Sequence, residues 1–276
     1  MEFHGFSTGL LIIVGGIVAA NLLVALTRRL FSRETLRQGQ ELTGNHLSVV
    51  GTLYAVLLGL IVVDALVRFQ RAIDVVQDES NALADIFLLA DRLPETDRLR
   101  VQECCKTYAR LVVDDEWPLM ATGHVSMAAR KSAFSLARSL QDFEPVTEAQ
   151  KVVYPLLLDQ IRALWDCRRE RVGTAEYGIP AVEWFVLILG AAVTVLCAGL
   201  FRSQSVSLQR FLTTLAALLI GLNLYLVALF GYPFAGELTV SSRPFVVDIM
   251  MFEGRFDDVP MHSRESRRPK GLGGEG

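Results

Sequence analysis

The chain has 276 residues, 51% hydrophobic and 21% charged, with a formal net charge of −3. An acidic balance without a basic and aromatic stripe excludes a nucleic-acid-binding surface. The apolar fraction is close to that of soluble proteins, so the class is decided by how the apolar residues are distributed.

They fall in four runs. Thr8–Leu26, Leu47–Val63 and Phe211–Phe230 carry no charge, and Ala181–Phe201 carries only Glu183. Each run is 17–21 residues long. At about 1.5 Å per residue that length matches a hydrocarbon core of about 30 Å. The expectation is an all-α integral membrane protein with four transmembrane helices. The leader MEFHGFS has no Lys or Arg, and the basic cluster Arg28, Arg29, Arg33 and Arg37 follows the first run. That order predicts a retained span rather than a cleaved signal peptide.

The runs divide the chain into a first transmembrane pair (1–67), an extramembrane helical insert (68–180), a second pair (181–231), a membrane-surface segment (232–253) and a tail (254–276). The tail lacks the apolar content to fold and is expected to be disordered. In the insert, Leu66, Phe69, Ile73, Val76, Ser80, Leu83, Phe87 and Ala90 recur at alternating steps of three and four, a heptad seam with one polar break. Only tolerable glycines interrupt Leu47–Leu93 before Pro94, so the second span is predicted to leave the membrane as one helix of about 45 residues. Extended backwards, the seam passes through Val62, Gly59, Ala55 and Thr52, mostly small residues. Further helices are expected over Thr96–Asp115, Ser126–Phe143 and Thr147–Tyr177, the last with Pro155 inside it. Their expected core faces are Leu99, Tyr108, Leu111 and Val112, then Met127, Phe134, Ala137 and Leu140, then Val153, Leu157, Ile161 and Leu164.

The charges flanking the spans do not fix orientation. Arg28, Arg29, Arg33, Arg37, Arg202 and Arg210 lie on one side, and Arg68, Arg71, Arg168, Arg169, Arg171 and Arg243 on the other. The arginine-free leader leans towards an N-terminus outside the membrane.

Asp64 is an ionisable residue at the end of a span, which by default raises an ion-path role. Arg68 stands one turn later, so an ordinary interfacial ion pair is the competing reading. Glu183, at the start of the third span, is open to the same two readings. Gly51, Ala55 and Gly59 form a repeated small-xxx-small pattern, a helix-packing seam and a candidate oligomer contact. Asn21 and Asn223 are expected to make interhelical hydrogen bonds. Glu116, Trp117 and Pro118 end an insert helix, and Glu116 is a candidate partner for Arg169 or Arg171. The cysteines, Cys104, Cys105, Cys167 and Cys197, have neither metal-ligand nor disulfide spacing, and no metal or cofactor is expected. No hydrolase, nucleotide-binding or zinc-protease motif is present, so an enzyme is not indicated.

The order of GTLYAVLLGLIVV, FQRAIDVVQDESNALADIFLLADRLPE, YARLVVDDEWPLM, RRERV and PFAGEL resembles the bestrophin-like family of bacterial membrane proteins. The family name points to bestrophins, pentameric anion channels whose fourth span is followed by a Pro-Phe-Gly segment and an acidic calcium loop. Pro233 and Phe234 match that segment, with Ala235 inserted before Gly236. Glu237 is the only acid there, too few oxygen ligands for calcium. The resemblance implies an oligomeric anion channel of the bacterial inner membrane, assembled as a homo-oligomer through the second span and carrying its insert in the cytoplasm. The competing expectation is a non-conducting scaffold, sensor or assembly protein acting through its insert. Pro233 is read as the stop of the fourth span and Gly236 as a turn, with Leu238–Val240 and Phe245–Val247 as short extended pieces.

Overall fold

A computed structural model describes residues 6–30, 40–141, 143–200 and 205–255. Arg33, Arg37, Arg202 and almost all of the expected tail lie outside the described residues. Among those described there are nine α-helices and no strand.

Four helices are long and apolar enough to span a bilayer. They are α1 (Phe6–Leu30), α2 (Gln40–Leu89), α7 (Ala181–Leu200) and α8 (Val206–Gly231). α2 runs for 50 residues, about 75 Å at 1.5 Å per residue. It therefore crosses the membrane and continues well beyond it as one rod. A short 3₁₀ turn, Ala90–Arg92, closes it. Leu93 is then extended (φ −84°, ψ 162°), as the residue before Pro94 must be to avoid the proline ring.

Inside the membrane, α1 packs on α7 and α8, and α2 packs on α7 and α8. Close contacts rest on small residues. A Cβ at Gly190 of α7 would overlap the Tyr54 ring of α2, and the Tyr54 hydroxyl donates to the Leu187 carbonyl at 3.1 Å. Asn21 donates across to Thr214 Oγ1 at 2.9 Å, the expected interhelical bond. Asn223 does not: it donates to Leu219 O on its own helix at 2.9 Å, because its own turn offers a nearer acceptor. At the end remote from the insert, Thr27 and Gln209 both donate to the Gly199 carbonyl, satisfying a buried acceptor in the last turn of α7.

The insert is a bundle around α2. It holds α3 (Glu95–Leu111), a π-helical turn (Val112–Glu116), α4 (Trp117–Met120), α5 (Met127–Arg138) and α6 (Glu148–Glu176). Ser126 caps α5 by accepting from Ala129 N at 3.0 Å. Thr147 and Gln150 form a reciprocal capping box on α6. Leu83, Ile86, Val112, Leu136, Leu157 and Leu164 are fully buried, each stabilising the bundle by about 1.5–3 kcal/mol.

Two expected faces shift. The buried face of α2 is Ala65, Phe69, Ala72, Val75, Val76, Glu79, Ser80, Ala82, Leu83 and Ile86, continued by Ala90, while Leu66 and Ile73 stay exposed. The expected seam ran to one side of this face, because a glutamate is not counted as core and Glu79 is buried through its partners. On α3 the expected Leu99 is exposed, and on α5 the buried face is Ala129, Ala133 and Leu136, whereas Met127 and Phe134 are exposed. Small residues face the core there because α3 approaches closely.

After α8 the chain turns at Pro233–Gly236, with Val240 N donating to Pro233 O at 2.8 Å and Gly236 at φ 97°. That left-handed conformation is open to glycine at little cost. Phe245–Val247 is not extended: it lies in α9 (Arg243–Phe252). Pro244 in the first turn, together with Phe245, Asp248 and Phe252 on one face, marks a helix start that β-propensity concealed. Phe234, Val240, Phe245 and Phe252 join the same core as α2, α3 and α6. The segment after the fourth span is therefore a wall of the insert.

Candidate functional site

The densest chemistry lies where α2, α3, the π turn and α6 meet. The π turn carries one extra residue per turn, and it leaves Val112 and Glu116 buried while Asp114 faces solvent. Glu116 accepts from Arg171 Nη2 at 2.8 Å and from Arg168 Nη2. Glu79 accepts from Arg171 Nε at 2.6 Å and Nη2 at 2.9 Å, and from the Tyr108 hydroxyl. Two carboxylates and two guanidiniums are thus sealed together, each side chain at most 4% exposed. Unpaired, such charges cost several kcal/mol each, so the balance of two against two is what makes their burial tolerable.

The electrostatics follow from that geometry. Burial opposes the charged Arg171 guanidinium, but Glu79, with Tyr108 and Glu116, holds its pKa well above the ordinary arginine range. Burial, reinforced by the Glu79 carboxylate, pushes the Tyr108 phenol well above its usual range. Arg168 Nε is the one buried side-chain polar atom without a hydrogen-bond partner among the described residues.

The network is tied to the turn after the fourth span. Arg171 lies 5.3 Å from the Trp117 ring centroid and 5.9 Å from that of Phe245. Trp117 meets Phe234 edge-on at 5.7 Å, and its Nε1 donates to Val240 O at 3.2 Å. Glu116, Trp117, Pro233 and Phe234, expected as separate motifs, come together here. Pro118 stands in the first turn of α4, directly after the π turn. Of the two expected partners of Glu116, Arg171 is present. Arg169 is not: it pairs in solvent with Asp166 at 2.6 Å. Arg168 takes its place, because it lies on the inward face of α6 with Arg171.

Other expected residues lie apart. Asp64 pairs with Arg68 at 2.7 Å, and Arg68 is 3.6 Å from Glu183, a half-exposed chain of charges at the membrane boundary. Glu237 is exposed and accepts from the Tyr225 hydroxyl at 3.0 Å. Gly51 and Gly59 have no atom within 4 Å of where a Cβ would stand, and Ala55 is exposed. The small-residue seam is therefore unused within the chain. No sequence pattern marks Asp248, a buried carboxyl whose Oδ2 accepts from Ser80 at 2.5 Å. Burial, against that hydrogen bond, pushes its pKa up to about 6. No group of three or more His, Cys, Asp or Glu that could hold a metal is found among the described residues.

Four spans, a rod-like second helix and a bundle locked by buried charge define an integral membrane protein with a helical extramembrane domain. Comparison with known proteins places it more closely. The model of the bestrophin-like domain matches residues 14–245, so the chain belongs to the bestrophin-like family. The fold is similar to crystal structures of a bacterial bestrophin homolog from Klebsiella pneumoniae. One mutant aligns with a TM-score of 0.68 at 12% identity, over 91% of this chain and 99% of that one. The form solved by zinc phasing aligns with a TM-score of 0.63 at 12% identity, over 88% and 99%. No curated protein matches.

Proposed function

We propose that this protein is the subunit of an oligomeric membrane channel whose path is walled by α2. The observation that carries the reading is that α2 packs within the chain through one face only, Tyr54 and Leu58 inside the membrane and the stripe from Ala65 to Ala90 outside it. Its flank of Gly51, Ala55 and Gly59 suits close approach to the same helix of a second copy. Its far face presents Val49, Val56 and Val63, all more than half exposed. Around a central axis these residues would form an apolar constriction.

Beyond the membrane the same far face carries Asp74, Asp78 and Asp85, all exposed. α2 has no Lys or Arg after Arg71, which is itself paired with Glu170 at 2.5 Å. A mouth lined this way concentrates cations, opposite to the anion preference that the family name implies. Reversal potentials in planar bilayers under a salt gradient test both points. The expected result is a cation-selective current that loses selectivity in Asp74→Asn/Asp85→Asn. Absence of current at every salt tried would leave the non-conducting scaffold as the better account.

A further inference from the structure

α2, the end of α6 and the end of α8 frame a half-open cavity of about 370 Å³, lined by Val67, Arg68, Arg71, Glu170, Thr174 and Tyr177, with Gly173, Gly231 and Pro233 beside them. That volume falls within the range of small-molecule sites, about 300–1,000 Å³. Its depth is set by the helices that frame it. The apolar run of α2 ends at Val63, α7 begins at Ala181 and α8 ends at Gly231. Aromatic residues of the kind that gather at headgroup level stand beside it: Tyr177 is 73% exposed, and Trp184 Nε1 donates to the Tyr232 hydroxyl at 3.2 Å.

The cavity also has spare donors. Arg71 spends Nε and Nη2 on Glu170, at 2.5 and 2.9 Å. Arg68 spends Nε on Asp64 and sets Nη2 near Glu183. Nη1 of each guanidinium makes no hydrogen bond among the described residues. The two arginines stand three residues apart on α2, so both reach one space. Asp64, Glu170 and Glu183 neutralise the two guanidiniums, so the cavity offers directional donors rather than net positive charge. A headgroup with several acceptor oxygens and an apolar extension beside Val67 and Pro233 would satisfy them.

We propose that this cavity binds the phosphodiester headgroup of a membrane phospholipid, with Arg68 and Arg71 donating to the phosphate and Val67 and Pro233 against the glycerol and upper acyl chains. Guanidinium suits phosphate because its planar donors make charge-assisted bonds to adjacent oxygens. The assignment goes beyond conduction and does not need it, since a scaffold would hold the lipid in the same way. The Arg71–Glu170 and Arg68–Asp64 pairs keep the empty guanidiniums oriented.

Native mass spectrometry of the detergent-extracted full chain, titrated with phosphatidylglycerol or phosphatidylcholine, tests it. One phospholipid per chain should bind tightly from either source, because both carry the phosphodiester. Arg68→Gln/Arg71→Gln should weaken binding by about tenfold or more. Gly173→Leu should weaken it comparably without touching an ion pair, because a Cβ at Gly173 meets nothing within 4 Å and the larger side chain would occupy the open space. Arg162→Gln, on an exposed part of α6, should bind as wild type does. If the double variant does not fold, Gly173→Leu decides alone. Equal binding in wild type and Gly173→Leu would overturn the site. Displacement of the lipid by excess inorganic phosphate would place the ligand in solution and overturn the lipid assignment.

Discussion

Glu116→Gln is the sharpest perturbation of the buried network. The change keeps the side-chain shape and one acceptor oxygen but removes a charge that neutralises Arg168 and Arg171. Glu79 remains, so two guanidiniums then face one carboxylate in a site with no exposed side-chain surface on Glu79, Glu116 or Arg171. Breaking one side of a buried pair costs about 3–5 kcal/mol, and the retained amide oxygen places this case near 3 kcal/mol. For a domain of this size that corresponds to a fall in Tm of roughly 6–12 °C. Circular dichroism during heating in detergent, at one scan rate, measures the shift. Glu237→Gln is the matched control, because its carboxylate is exposed and serves a single tyrosine hydroxyl. It should move Tm by less than half as much. Glu116→Gln/Arg168→Met restores the balance of charge and should recover part of the loss. A Glu116→Gln shift no larger than that of Glu237→Gln, or a double variant as unstable as the sum of its single changes, would refute the charge-balance argument.

Three other outcomes follow from the geometry. Asp248 binds its proton more tightly folded than unfolded, with a pKa of about 6 against an ordinary 3.8. Its contribution is therefore most favourable below about pH 4 and is lost as pH rises through 6. Asp248→Asn should flatten the pH dependence of Tm over that window and raise stability at pH 7.5 by up to about 3 kcal/mol; an unchanged slope would contradict the burial argument. Gly190→Leu should displace the Tyr54 ring and lower Tm sharply, whereas Gly59→Leu, with open space around it, should leave the Tm of the isolated subunit within about 1 °C of wild type. Ala55→Leu should lower the oligomeric mass seen by light scattering while helicity is unchanged; an unaltered mass would remove the small-residue flank from the subunit contact.

The spans and the long second helix were legible because their signals are local: uncharged runs of bilayer length, and a proline that must stop a rod. The Glu116–Arg171 contact was legible for a related reason, since an acid beside Trp and Pro and an arginine cluster on the last insert helix each needed a partner. The choice among Arg168, Arg169 and Arg171 was not, because it depends on the rotation of α6 about its axis. Glu79 was missed because sequence patterning treats a glutamate as surface, and only partners distant in sequence make its burial affordable. Asp248 and α9 were missed together: Phe245-Val246-Val247 has strand propensity, and the helix forms because Phe245 and Phe252 find apolar surface on α2 and the π turn. The cavity at the membrane boundary joins three elements far apart in the chain and left no trace in any one of them.

The central claim, that α2 walls a conducting path, is tested most directly by substituted-cysteine block in planar bilayers. Val63→Cys, on the far face of α2, should carry a current that a charged, membrane-impermeant thiol reagent reduces. Leu189→Cys, exposed on α7, should carry a current that the reagent leaves at the level of wild type, whose four cysteines set the background. Block in Val63→Cys alone is the result the account predicts. Equal block at both positions, or none at Val63→Cys in a conducting preparation, would contradict it.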